Sequence, residues 1–267
     1  MYIREDGCIM KITALTENTS ADPRFGAEHG LSLYIEANGH RILFDSGQTE
    51  LFERNASLLG IDLAGVDIAV LSHGHYDHSG GLKRFLELND SAPVYLHRLA
   101  FEPHYNAEGK YIGLDESLRD SRRLIFTDDV TELGDGLTLY SCNNEDRPYD
   151  FGSQGLSVMR DGVLLPDDFA HEQYLLINEG GRRVLISGCS HKGILNIEGW
   201  FKPDVLIGGF HFMKQAPDDG LRRWAEELDK FDTEYYTCHC TGTAQYAYLK
   251  RYMRRLSYLS AGETVEV

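Results

Sequence analysis

The chain has no apolar run approaching the roughly 20 residues needed to cross a bilayer, and its mean hydropathy is −0.35. A soluble protein is therefore expected. Basic residues are scarce: 26 Lys and Arg stand against 42 Asp and Glu, a formal net charge of −16. Such a field repels phosphate backbones and anionic lipid, so neither a nucleic-acid nor a membrane partner is expected. Cysteine is sparse and odd in number. Cys8, Cys142, Cys189, Cys238 and Cys240 lack the spacing of a disulfide framework, which favours a reducing, cytoplasmic setting. There is no Gly-x-Ser-x-Gly elbow and no Walker loop, so no motif supports a serine nucleophile or a phosphate-cradling loop. A secretory leader is not expected either, because Arg4, Glu5 and Asp6 fall where its apolar stretch would lie. Met10 is an alternative start, which would make residues 1–10 a loose extension.

What is present is material for one substantial core. Of 267 residues, 42% are hydrophobic, and no repeat, low-complexity tract or linker divides them. The expectation is a single domain over 1–267. Lys11–Thr16 and Leu31–Glu36 read as strands. Asn38-Gly39 is a hairpin turn, and Arg41–Asp45 is the return strand. Thr49–Leu59 reads as a helix ended by Gly60. The apolar run Val66–Leu71 reads as a buried strand. A helix is expected from Gly80-Gly81 to Leu88, and a strand over Pro93–His97. Residues 98–123 are irregular and read as an inserted, lid-like segment, either a loop or short helices. Strand signals resume at 137–141, 173–178, 183–187, 204–208 and 234–237. Leu221, Trp224, Ala225 and Leu228 mark one amphipathic helix; Leu249, Tyr252, Met253 and Leu256 mark another. Hairpins followed by strand–helix alternation point to an α/β fold with two packed sheets and helices outside.

The chemistry is concentrated where the run Val66–Leu71 ends. His73-Gly74-His75-Tyr76-Asp77-His78 offers three imidazoles and one carboxylate within six residues. Divalent zinc favours these donors, and a catalytic site keeps one position open to water or substrate. His73 and His75 can point to one side while Asp77 and His78 address a neighbouring point, which suits two ions. Cys238 and Cys240 flank His239, but two cysteines one residue apart with no second pair make a poor tetrahedral zinc site.

The HxHxDH pattern, with Phe44-Asp45-Ser46-Gly47, resembles the metallo-β-lactamase superfamily. More narrowly, the chain resembles metal-dependent hydrolases named after 7,8-dihydropterin-6-yl-methyl-4-(β-D-ribofuranosyl)aminobenzene 5'-phosphate synthase. Glu28–Ser32, Leu43–Gly47, Leu71–Leu82, Pro166–Asp168, Ser187–Ile197, Gly208–His211 and His239–Gly242 carry that likeness. The resemblance implies a metallo-β-lactamase-like four-layer αββα sandwich, two mixed β-sheets flanked by helices. It implies two divalent ions, zinc first, with manganese or iron as alternatives. His73, His75 and His191 would hold one, and Asp77, His78 and His239 the other. Asp45 would orient the ligands through the loop backbone. Cys189 stands where relatives carry a bridging Asp or a metal-bound Cys, and is either a ligand or a small buried thiol. His211 and His29 would line the substrate pocket, with His211 and Asp77 as catalytic residues. The Asp167-Asp168 pair reads as a turn, and His40, His97 and His171 are left unassigned.

The implied activity is hydrolysis of a small phosphate- or carboxylate-containing molecule by water or hydroxide activated between two metals. Pterin-linked synthase-like activity and iron-dependent redox chemistry on the same fold are the alternatives. The oligomeric state is not specified by the sequence.

Overall fold

In the computed structural model, residues 10–267 are described; residues 1–9 of the expected N-terminal extension lie outside the described residues. Strand alternation builds the layers. Because successive side chains in a strand face opposite ways, Ile42 and Phe44 enter one apolar cluster while Leu43 enters another. The same alternation sends Val184 and Ile186 into the first cluster and Leu185 into a third. Val205, Leu206 and Ile207 repeat it. The first cluster therefore fills the space between two sheets. The other two lie on the outer faces, where Phe52, Ala56 and Phe85 come from helices on one side and Ile194, Leu221, Ala225 and Leu249 from helices on the other. This is the expected four-layer sandwich.

Each main sheet has seven strands. The first runs Thr264–Glu266, Lys11–Thr16, Ser32–Ala37, His40–Phe44, Ile68–Val70, Val94–His97, Leu124–Thr127, antiparallel up to His40–Phe44 and parallel beyond it. The second runs Leu256–Tyr258, Glu234–Thr237, Val205–Gly208, Arg182–Ile186, Tyr174–Glu179, Leu137–Tyr140, Val130–Gly134. Its first four strands are parallel and the rest antiparallel. Both sheets thus send the carboxyl ends of their parallel strands into loops, where α/β folds place their ligands. Among the described residues no helix is long and apolar enough to cross a membrane.

Two local expectations need correction. Leu249, Tyr252, Met253 and Leu256 do not share one helix. The helix Thr243–Leu249 ends there, and Leu256 begins the strand Leu256–Tyr258. Leu249, Met253 and Leu256 all point into the same cluster, so inward facing at helical spacing is reached by a turn and a strand start. The histidine-rich loop, for which no element was expected, contains a helical turn, Tyr76–Ser79. The irregular stretch 98–123 includes the short strand His104–Tyr105, which pairs with Ser157–Arg160; that strand pairs in turn with Val163–Pro166 as a small third sheet.

The helix Ile194–Phe201 carries a fully buried acid, Glu198. Thr233 donates to its Oε1 at 2.7 Å, Oε2 has no partner, and burial pushes the carboxyl up to about 7. A folded-state pKa above the unfolded one stabilises the fold fully below pH 4.5, and that stabilisation is lost as pH rises through 7. Glu198→Gln is therefore expected to match wild type in thermal stability at pH 4.5 and to exceed it at pH 8, by on the order of 3 kcal/mol at most. Melting curves of both proteins at the two pH values check this; a pH-independent difference would contradict it.

Candidate metal centre

Five loops at strand carboxyl ends meet between the sheets. Asp45 follows His40–Phe44, and the histidine-rich loop follows Ile68–Val70. His191, His211 and His239 follow Arg182–Ile186, Val205–Gly208 and Glu234–Thr237. Close approach requires glycine in places. A Cβ on Gly188 would lie 2.2 Å from Ser72 Oγ, and one on Gly74 would lie 2.2 Å from the carbonyl oxygen of Ala100.

Asp45 organises the centre. Its Oδ1 accepts the backbone N–H of Ser72 at 2.7 Å, the backbone bond expected of it. Its Oδ2 accepts the Ser72 hydroxyl at 2.7 Å and Nδ1–H of His78 at 2.6 Å. The Ser72 oxygen, having donated its proton, accepts Nδ1–H of His73 at 2.8 Å. One carboxylate thus holds the Nδ1 protons of both imidazoles, and the His73 ring, kept neutral by burial, is left with Nε2 bare. Both Nε2 atoms face the centre: that of His73 is 3.3 Å from His191 Nε2, and that of His78 is 3.1 Å from Cys189 Sγ.

His73, His75 and His191 form one group whose ligand-type atoms lie within 4.8 Å of one another, as expected. The second expected set does not close as one group. Asp77 Oδ2 is 3.4 Å from His239 Nε2 and 3.9 Å from His78 Nε2, but the compact group beside it is His29, Asp77 and His239. His78 groups instead with His73 and Cys189. Asn18, unremarked in the sequence, explains the difference between the two outer histidines. Its Oδ1 accepts Nδ1–H of His239 at 2.8 Å, leaving Nε2 bare. Its amide donates to Nδ1 of His29 at 3.3 Å. His29 therefore carries its proton on Nε2 and donates it to Asp77 at 3.2 Å. His239 thus presents a bare nitrogen to the centre, and His29 a donor to Asp77.

Cys189 is buried against His78, with Cys240 beside it. Burial, then the Cys240 thiol, pushes its own thiol well above the usual range. Cys238 faces the core between the sheets, so the two cysteines around His239 do not converge as a zinc knuckle would require.

The charges agree with this geometry. Burial and then neighbouring imidazoles hold His73 well below the usual histidine range. Burial, followed by His211, does the same to His191, and burial lowers His239 to about 4. These rings are neutral at pH 7, the state that binds a cation. Burial opposes ionisation of Asp77, but His78, His239 and His29 hold it well below the usual carboxylate range. Burial also opposes protonation of His78, yet Asp45 and Asp77 raise it. Nε2 of His75 and of His239 and Nδ1 of His191 are buried without hydrogen-bond partners. Unpartnered buried polar atoms are uncommon, and bare imidazole nitrogens around a carboxylate fit a divalent ion.

The centre opens into a cavity of about 380 Å³. Tyr76, Ile112, Leu156 and Met213 give it an apolar wall, and Asn106 and Lys214 add polar groups. Asn106 and Ile112 come from the expected lid-like segment. His211 also lines the cavity; its Nδ1–H donates to Gln154 at 2.6 Å, leaving Nε2 bare, and its ring lies 4.2 Å from that of His191. Asn18, Ser72, Gln154 and the buried pair His104 and His171 were all missed, since each supports a ligand or a ligand's neighbour without a pattern of its own. Asp167, read as a turn residue, is fully buried between those two histidines.

The chain belongs to the metallo-beta-lactamase superfamily, whose family model matches residues 25–239. A crystal structure of a metal-dependent hydrolase of the beta-lactamase superfamily is similar over 97% of this chain and 99% of that one, at 32% identity and a TM-score of 0.83. An uncharacterized protein of Methanocaldococcus jannaschii is 33% identical over 86% of this chain and 90% of its own length. The 7,8-dihydropterin-6-methyl-4-(beta-D-ribofuranosyl)-aminobenzene-5'-phosphate synthase of the same organism is 28% identical, with 96% of both chains covered.

If Asp45 sets the ligand tautomers, Asp45→Asn should place an amide N–H against two donors and weaken zinc binding about 10–100-fold. Competition against a chromophoric chelator measures this. An affinity equal to wild type would show that His73 and His78 are oriented without Asp45.

Proposed function

We propose that this protein is a metal-dependent hydrolase that holds two divalent cations, zinc first and manganese or iron as alternatives, and acts on a small anionic molecule carrying phosphate or carboxylate. One observation carries the reading: bare, inward-facing imidazole nitrogens and one ionised carboxylate converge at the floor of an open cavity. His73, His75 and His191 would hold one cation. Asp77, His239 and His78 would hold the other, with Cys189 between His78 and Cys240 as a further sulfur donor. Bound divalent cations supply Lewis acidity, which polarises a phosphoryl or carbonyl oxygen and makes water acidic enough to ionise near pH 7.

The protein's own groups then have definite tasks. His29 donates to Asp77 and keeps its carboxylate ionised and oriented. His211, with Nδ1–H held by Gln154, presents a bare Nε2 to the cavity; burial and then His239 lower the ring to about 3, so it stays neutral and accepts a hydrogen bond from the substrate rather than a proton. The wall of Tyr76, Ile112, Leu156 and Met213 excludes water from one side of the substrate. Lys214 is the cation among the cavity-lining residues, and in a chain of net charge −16 it supplies attraction for an anionic substituent.

The synthase relative supports a second reading, in which a pterin-linked phosphate is consumed without net uptake of water. One screen separates the readings: metal-quantified protein assayed against phosphomonoesters, phosphodiesters, lactones, thioesters and a pterin-linked phosphate. Hydrolysis of at least one ester supports the first reading; turnover of the pterin compound alone supports the second. Iron in the purified protein, with oxygen uptake, would defeat both. His75→Ala and Asp77→Ala are expected to lose metal and activity together, and stoichiometric metal in both variants would refute the ligand assignment. Lys214→Ala is expected to raise KM for the anionic substrate about 10-fold with kcat little changed. An unchanged KM would remove Lys214 from substrate binding.

A further inference from the structure

Two buried acids stand behind the ligand histidines without lining the cavity. Glu172 and Glu17 are both fully buried. Glu172 Oε1 accepts the backbone N–H of His191 at 2.7 Å, and its Oε2 accepts the next N–H, of Lys192, at 3.0 Å. The Tyr174 hydroxyl donates to the same Oε2 at 2.6 Å. Glu17 is built alike. Its Oε2 accepts the backbone N–H of His239 and the Tyr258 hydroxyl, each at 3.1 Å, while its Oε1 accepts the N–H of Thr19 at 2.5 Å. In both places a glutamate, steadied by a tyrosine hydroxyl, holds the backbone at a lone histidine. The turn at His211 differs: the N–H of Phe210 is taken by the neutral hydroxyl of Thr241 at 2.8 Å.

The chain neighbours of each acid grip a facing loop. His171 accepts the N–H of Gly74 at Nδ1, 2.8 Å away. Gln173 donates its backbone N–H to the Ser72 carbonyl and its side-chain amide to the Leu71 carbonyl, each at 2.8 Å. His171-Glu172-Gln173 therefore ties the loop of His73 and His75 to the turn of His191, joining the three ligands of one cation. Asn18, beside Glu17, accepts Nδ1–H of His239 at 2.8 Å and donates to His29 at 3.3 Å, and His29 holds Asp77 at 3.2 Å. Glu17-Asn18 therefore ties His239 to Asp77, ligands of the other cation. Ligands drawn from separate loops bind tightly only when their supports fix them in place. A backbone N–H held by a buried acceptor cannot drift without being left unpaired.

We propose that Glu172 and Glu17 are positioning residues that each serve one cation. Glu172 sets the approach of His191 to His73 and His75, and Glu17 sets that of His239 to Asp77. Both act through the backbone and not as ligands. The assignment of cations rests on the functional reading, so one arm of the test uses no metal.

In that arm, amide hydrogen exchange is followed residue by residue in metal-free protein. Glu172→Ala should speed exchange at His191 about 10-fold and leave His239 at its wild-type rate; Glu17→Ala should do the reverse. Glu172→Gln has one carbonyl in place of two carboxylate oxygens. It should keep one of the His191 and Lys192 N–H groups protected and release the other, which carries the arm if the alanine variant does not fold. Wild-type rates at His191 in Glu172→Ala, at both N–H groups in Glu172→Gln, or equal acceleration at His191 and His239 in either alanine variant overturns the proposal. In the second arm, zinc affinity is measured by chelator competition with total metal counted. Glu172→Ala and Glu17→Ala should each weaken one of two zinc ions about 10–100-fold. In a His191→Ala background, where the first cation has lost a ligand, Glu17→Ala should still weaken the remaining zinc and Glu172→Ala should not. Wild-type zinc affinity in both single variants, or an undiminished Glu172→Ala effect in that background, also overturns the proposal. If wild type binds no zinc, the functional reading fails, and the exchange arm still decides whether the two acids fix these turns.

Discussion

A neutral imidazole has one lone pair and one proton, and inside a protein both need a direction. That constraint governs this structure more than any single contact. Burial lowers the pKa of His73, His191, His211 and His239, so these rings are neutral and each has two tautomers to choose between, whereas Asp45 and Asp77 raise His78. The Nδ1 proton is placed by groups fixed from behind: Asp45 for His78 and, through Ser72, for His73; Asn18 for His239; Gln154 for His211. Each leaves a determined nitrogen facing the centre. A buried polar atom left without a partner costs about 1–3 kcal/mol, so bare nitrogens gathered at one point destabilise the empty fold. A cation that binds them recovers that energy, which couples folding to metal binding.

The same constraint explains what was legible in the sequence. The sheet strands could be read because their apolar residues alternate, and a one-residue slip would turn Leu43 or Leu185 into the wrong layer. The loop His73–His78 was legible because its donors are crowded into six residues. His191, His211 and His239 are single histidines, and residue pattern alone gave them no distinction; family likeness did. The supporting groups were less visible still. Asn18 lies more than 200 residues from His239 along the chain, and nothing in its neighbourhood marks it. His104 sat in a stretch with no period, because the short strand His104–Tyr105 is held by pairing with Ser157–Arg160, a partner that local sequence cannot show. The split of the last expected helix has a similar cause: inward spacing of three or four residues is satisfied by a turn as well as by a helix.

Backbone strain follows the same logic of placement. Asp45, Ser190, His211 and His239 have φ of 60°, 59°, 55° and 48°, a left-handed conformation that costs a non-glycine residue about 1–3 kcal/mol. Asn38, Asp135 and Asp161 share it, but they sit in tight turns, where short polar side chains tolerate it. The first four do not. Each stands just past the carboxyl end of a parallel strand, where continuing in the extended region would carry the chain away from the sheet. Reversing φ there folds the chain back over the strand ends. Glycine would adopt the same backbone more easily, yet at Asp45, His211 and His239 it would remove the carboxylate or imidazole the position exists to deliver. Two large apolar layers on either side of the inner core supply the stability that offsets such strain. Cys142 and Lys202 share the conformation away from the centre, but the four at the parallel strand ends lie where side chains must converge on one point, which agrees with function at this end of the sandwich.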